Sequence, residues 1–167
     1  MEGLSMKYAF TMILSVFLSA ASPARAQLPT KQVLPLNVAK RIAEAAEKEA
    51  MKRGATVVIA VVDDGGHLIT LERLDDTQVA SVDVAVGKAR TAAIFRRPSK
   101  EFEDQIKDGR VAALALPGAT PLQGGIPIVV AGKVVGAIGV SGNTPQEDED
   151  IAKVGAAAAL GAMQASR

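Results

Sequence analysis

The chain has 167 residues, with 19 Lys and Arg against 18 Asp and Glu, a single His and neither Cys nor Trp. This near-neutral balance leaves no electrostatic footprint for nucleic acid or for an anionic membrane surface. The absence of cysteine excludes a disulfide framework and thiolate metal sites, and one His falls short of the usual zinc ligand sets.

Lys7 precedes a mostly apolar run over residues 8–20, and Ala24-Arg25-Ala26 follows. A positive n-region, a short h-region and an A-x-A site read as a secretory signal peptide over residues 1–26, too short for stable membrane insertion. Met6-Lys7 would make a cleaner start than the first five residues. Cleavage after Ala26 leaves one domain, residues 27–167, in the periplasm or outside the cell. Glu2, Lys7 and Arg25 depart with the signal, so the mature chain is formally neutral. Tyr8, Phe10 and Phe17 depart too, leaving Phe95 and Phe102 as its only aromatics. Stacking platforms for bases or sugars are therefore missing, and nucleic acid is not an expected partner.

Residues 36–53 carry Ala39, Ile42, Ala43, Ala46 and Ala50 on one helical face, with Gly54 as the stop. Residues 56–62 are a continuous apolar run, expected as a central strand buried on both faces. Asp64-Gly65-Gly66 is a turn, and residues 67–74 return as a second strand. Residues 78–95 form a second helix, and Ser99 is placed to N-cap a shorter one ending before Gly109. Residues 110–123 read mostly as loop, broken by Pro117-Gly118 and Pro121, with room for a short strand at 113–116. Residues 124–142 then form a hairpin, two β-branched runs around Gly132-Lys133, with Gly132 suited to the first central position of a type II′ turn. Pro127 lacks an N–H, so its strand is expected to be an edge or to enter the sheet there. Thr144-Pro145-Gln146-Glu147 is a capping box that opens the last helix. The order lacks the alternation of a doubly wound sheet and predicts an α+β fold, an antiparallel sheet with helices packed on its faces.

The second helix carries Val82, Val86, Ala89 and Ala93 on one side, with Val84, Ala85, Ala92 and Phe95 roughly opposite. One stripe suffices for packing on a sheet, so the second predicts a homo-oligomer, dimer or higher.

Few residues can carry chemistry. His67 follows the Gly65-Gly66 turn and is expected on one strand face with Ile69 and Leu71. It reads as a metal ligand or as an ordinary strand-end histidine bonded to a neighbour. A Ser-His-Asp triad could use only His67 with Asp63 or Asp64, and no G-x-S-x-G elbow supplies a nucleophile. Asp63-Asp64 could hold a hard cation or simply form the turn. Gly124-Gly125 precedes a strand rather than a helix, which excludes a phosphate cradle. The loop Ser141-Gly142-Asn143 does precede a helix, but Glu147, Asp148, Glu149 and Asp150 oppose an anion there. Arg73, Lys88, Arg90, Arg96, Arg97 and Lys100 gather basic charge around the second helix, as a ligand-carboxylate site or as a solvated face.

Gly124-Gly125-Ile126-Pro127, the run Gly136-Ala137-Ile138-Gly139-Val140-Ser141-Gly142, and Ser81, Lys88-Ala89 and Thr91-Ala92 together resemble the GlcG/HbpS-like family of small haem-associated proteins. The likeness runs from Leu36 to about Leu160 and extends to the C-terminal part of PduO-type adenosyltransferases. It implies a profilin-like fold with about five antiparallel strands, assembling into dimers or higher oligomers. Asp75-Asp76 departs from the family's usual Asp-Gly-Ala. The implied function is a secreted or periplasmic haem-binding protein, in haem sequestration or redox-linked sensing. If haem is the cofactor, His67 is the only imidazole for its iron, with Arg73, Lys88 and Arg90 as propionate partners; hydroxyl, Lys or Met ligation (Met51, Met163) stays open. The alternatives are an accessory enzyme or binding protein for a small hydroxy or keto acid, whose carboxylate the same cations would hold, and a purely structural assembly module.

Overall fold

Alanines spaced three and four apart, with Val38 and Ile42 between them, wind residues 36–53 into helix α1 (Leu36–Arg53) with one buried face. Gly54 ends it at φ +64, its N–H returning to the last turn, a conformation that costs glycine little. The computed structural model describes residues 28–164; the expected signal segment lies outside the described residues. The unit from Lys31 onward carries every element. After α1 come β1 (Val58–Asp63), β2 (Leu68–Arg73), α2 (Ser81–Phe95), α3 (Lys100–Lys107), a 3-10 helix (Val111–Ala115), β3 (Gly125–Val130), β4 (Lys133–Ser141) and α4 (Pro145–Gln164).

The strands form one antiparallel sheet in the order β2-β1-β4-β3. Among the described residues it has four strands rather than the implied five. Residues 113–116, the remaining strand expectation, lie in and just after the 3-10 helix. Ala-Leu-Ala-Leu has no β-branched residue to favour a pleat, and Pro117-Gly118 stops it at once.

Helices cover both faces, as the doubly apolar β1 requires. Val57, Ile59 and Val61 pack with α1, α4, Ile138 and Val140. Val58, Ala60 and Val62 meet Ala85, Ala89 and Ala92 of α2. Pro127 sits on the edge strand β3, where a missing donor costs nothing. The α2 backbone comes very close to the sheet, because Gly125 and Gly139 are paired beneath it.

Four local expectations are corrected. The β1–β2 ladder slips between Val61 and Val62, leaving Ile69 as the extra residue of a bulge. Ile69 therefore packs on the α1 side and Leu71 on the α2 side, since a one-residue slip exchanges faces. The supposed second stripe of α2 is largely used within the protomer: Ala85 and Ala92 are fully buried, and Phe95 meets Phe102 at 4.9 Å. Ser99 stands at the N-cap position of α3, but its side chain does not cap the helix. Its hydroxyl accepts the Gly125 N–H at 2.8 Å and donates to Leu122 O at 2.5 Å, tying α3 to β3. Thr144, in contrast, accepts the Glu147 N–H and donates to its carboxylate, closing the first turn of α4.

The hairpin turn is Ala131-Gly132, because Val130 pairs with Lys133. Both central residues have positive φ, +48 and +76. That is type I′, whose twist matches the strands, rather than type II′ at Gly132-Lys133. A left-handed alanine costs about 1–2 kcal/mol. Ala131→Asn, which tolerates that region, is expected to raise stability by about 1 kcal/mol. A urea midpoint no higher than that of the unmodified protein contradicts this reading.

Candidate functional site

α2 buries the sheet residues beneath it and leaves β2, at its side, only partly covered. Over the buried floor of Val58, Ala60 and Ala85 lie Leu71 of β2 and Val82 and Val86 of α2, each half-buried. Leu68 extends the strip, being opposite Val62 on the same face, and is exposed. Arg73 projects from this face at one end, where it pairs with Val58. At the other end, the Gly65-Gly66 turn lies against Arg90. A methyl group on Gly66 would stand 2.7 Å from Arg90 Cγ and 3.1 Å from Ile94 Cγ2. Arg73 and Arg90 are exposed and have no acidic partner among the described residues. The result is an apolar shelf with an unpaired guanidinium at each end.

His67 follows that turn with its side chain 80% exposed, paired with Asp63 and so on the sheet face opposite Leu68. Its Nδ1 is 3.4 Å from Asp63 Oδ1, which also accepts the Gly65 and His67 N–H groups. Partial burial pushes the Asp63 carboxyl up, but these donors and the imidazole outweigh it and hold the group below its ordinary value. Lys31 reaches the same turn through Asp64 at 2.8 Å. Asp63 thus serves the turn, Asp64 pairs with Lys31, and the His67 side chain is left largely exposed.

Lys88 is elsewhere. It is 4% exposed, and Nζ donates to Asp148 Oδ2 at 2.7 Å and to Val140 O at 2.9 Å. Asp148 Oδ1 accepts the Asn143 N–H at 3.0 Å. Burial pushes the Asp148 carboxyl above its ordinary value, against the opposing pull of Lys88 and the amides of Asn143 and Gly142. The anion at the Ser141-Gly142-Asn143 loop is therefore the chain's own carboxylate. Gly124 and Gly125 leave room for this pair: a methyl group on Gly124 would stand 2.9 Å from Lys88 Nζ. The sequence did hold a signal for it, since Lys88 shares the sheet-facing line of α2 with Ala85 and Ala92.

The remaining expectations are dispersed. Arg96 takes φ +56 just past α2, and Arg97 stacks over Phe102 at 5.2 Å. Lys100 is held by Asp104. Met51 is exposed on α1, and the Met163 side chain lies outside the described residues. Asp76, where the family pattern has Gly, adopts φ +61, a region Asp tolerates better than most side chains. A separate cavity of about 440 Å³, lined by Gln32, Val33, Leu34, Pro35, Asn37, Val38 and Val135, contains no charged group and none of the expected site residues. Among the described residues, no three acidic or imidazole groups stand together as a metal site, and no helix is long and apolar enough to cross a membrane.

The comparisons with known proteins agree on one family. The model for the family described as "Haem degrading protein HbpS-like" matches residues 34–157. Protein GlcG of Escherichia coli strain K12 is 44% identical over 114 residues, covering 68% of this chain and 85% of GlcG. Among solved structures, a double mutant of Streptomyces reticuli HbpS superposes with a TM-score of 0.72 at 34% identity, over 83% of this chain and 97% of that one. A PduOC:heme complex follows at 0.69 and 25% identity, covering 76% and 95%. With a family match that begins just before α1 and ends within α4, this chain belongs to the HbpS-like family and resembles GlcG and PduO along nearly the whole of its folded unit.

Proposed function

We propose that the chain is an exported, homo-oligomeric haem-binding protein of profilin-like fold, acting in haem sequestration or redox-linked sensing. The observation that carries this reading is the apolar shelf with unpaired Arg73 and Arg90 at its ends, and an exposed His67 follows the turn that closes the Arg90 end. The shelf's accessible strip of Leu68, Leu71, Val82 and Val86 suits a flat apolar ring system, and the guanidiniums suit propionates. The family description and the heme-bound PduOC neighbour support the ligand class. Bound haem would supply an iron centre able to change oxidation state. Asp63 beside Nδ1 orients the imidazole and leaves Nε2 for the metal. Lys88 serves by anchoring α2, the wall of the shelf, rather than by touching ligand. An open shelf covers one face of a planar ligand, and a second copy of the chain would close the other. Export rests on the signal-like residues 1–26.

The test is a haemin titration of the mature protein, followed in the Soret region. A saturable shift is expected, with an altered band in His67→Ala and affinity reduced about tenfold or more in Arg90→Ala. An unchanged band in His67→Ala removes that ligand and leaves the haem reading standing. No saturable shift in the unmodified protein overturns it. Weight then passes to a small hydroxy or keto acid, because two guanidiniums without acidic partners fit a carboxylate equally well.

A further inference from the structure

Arg90, though exposed, is touched from two directions. Its stem lies on Gly66, and its guanidinium end meets the tip of the loop that follows α3. A methyl group on Gly118 would stand 3.6 Å from Arg90 Nε and 3.4 Å from Ile94 Cδ1. Residues 120–125 of that loop are bolted down. The Thr120 N–H donates to Thr91 Oγ1 at 2.7 Å, and the Thr120 side chain fills the space above Gly87. Leu122 O accepts from Ser99, and the Gln123 N–H donates to Glu103 at 2.6 Å.

Residues 110–119 are held differently. Among the described residues, their backbone bonds run to one another or to the end of α3: Arg110 to Gln105 O, Val111 to Gly109 O, Ala113 to Arg110 O, Leu116 to Ala113 O and Ala119 to Leu116 O. Ala113 is the one residue of the stretch that is buried, while Val111 and Leu114 are 61% exposed. Glycines of positive φ stand at its base and tip, Gly109 at +94 and Gly118 at +76. A segment with internal bonds, little buried apolar surface and fixed ends can open at low free-energy cost without unfolding its neighbours.

We propose that residues 110–119 are a strap at the Arg90 end of the shelf, which lifts to admit the ligand and in doing so uncovers Ile94 and the Nε side of Arg90. The proposal rests on the haem reading of the shelf and adds gating to it. The chain has no cysteine, so an Ile94→Cys/Ala119→Cys pair carries its only thiols, and a short thiol-to-thiol cross-linker can lock the strap across them. Stopped-flow mixing with haemin is expected to show association about tenfold slower in the cross-linked form, with the untreated pair matching the unmodified protein. Equal rates with and without the cross-link overturn the strap. Should the pair misfold, Thr91→Val removes the hydroxyl that accepts the Thr120 N–H. Haemin association and dissociation should then both accelerate severalfold with little change in Kd, and unchanged rates overturn the proposal. Amide exchange on the ligand-free protein reads the strap independently of haem. Residues 111–119 are expected to exchange together and well before residues 120–130, and equal protection overturns gating. A missing Soret shift together with early exchange would instead sink the haem reading and keep the strap.

Discussion

Lys88→Met lowers the unfolding free energy by about 3–5 kcal/mol, out of a total of about 5–15 for a domain of this kind. The reason is the carboxylate left behind. Asp148 is 2% exposed, and without the ammonium it keeps only the amide donors of the Ser141–Asn143 loop. Its burial already pushes its carboxyl up while Lys88 is in place, so losing the cation leaves a buried carboxyl that those amides alone compensate. Val140 O loses a donor as well. In Lys88→Met/Asp148→Asn the stranded charge is gone and an acceptor for the Asn143 N–H remains. That pair is expected to recover more than half of the loss, because replacing both partners is far milder than removing one. Urea unfolding followed by far-ultraviolet circular dichroism measures both, since the mature chain has no Trp or Tyr to report. A single substitution costing under about 1 kcal/mol would show that the pair is not a structural anchor.

Gly139→Ala has an effect of similar size by a different route. Gly139 and Gly125 face each other across β4 and β3, and the α2 backbone rests directly on them. A methyl group on Gly139 would stand 2.5 Å from Ala89 N and 2.9 Å from Ala89 Cβ, and closer still to the Ala85 carbonyl oxygen. Backbone cannot step aside as a side chain can, so α2 must move off the sheet as a unit. The expected cost is about 3 kcal/mol or more, at the severe end of overpacking. Gly161→Ala is the control. It sits on the exposed side of α4 with nothing within 4 Å, and exchanging glycine for alanine in a helix should gain about 1 kcal/mol. A Gly139→Ala protein as stable as the parent would mean that α2 does not pack this closely. The same substitution also tests the shelf, since Val82 and Val86 travel with α2.

The sequence alone determined the order and type of nearly every element in the described residues. Patterns with periods of 2 and 3.6 act over a few neighbours, and so they are written locally. The α1 span, the doubly buried β1, the edge position of Pro127 and the box at Thr144 all follow from such short-range rules. The sequence also separated out the few groups able to carry chemistry, because a chain with one His and no Cys leaves little choice. Only the tertiary structure decided what each group does. Lys88 and Asp148 are 60 residues apart, and no local pattern tells a lysine aimed at solvent from one buried against a distant carboxylate. The bulge at Ile69 depends on which β1 residue each β2 residue meets, and one slipped pair exchanged the faces on which Ile69 and Leu71 were expected. Composition marked Arg73 and Arg90 merely as basic. Their unpaired state, and the apolar floor between them, exist only once β2 and α2 lie side by side on the same face of the sheet.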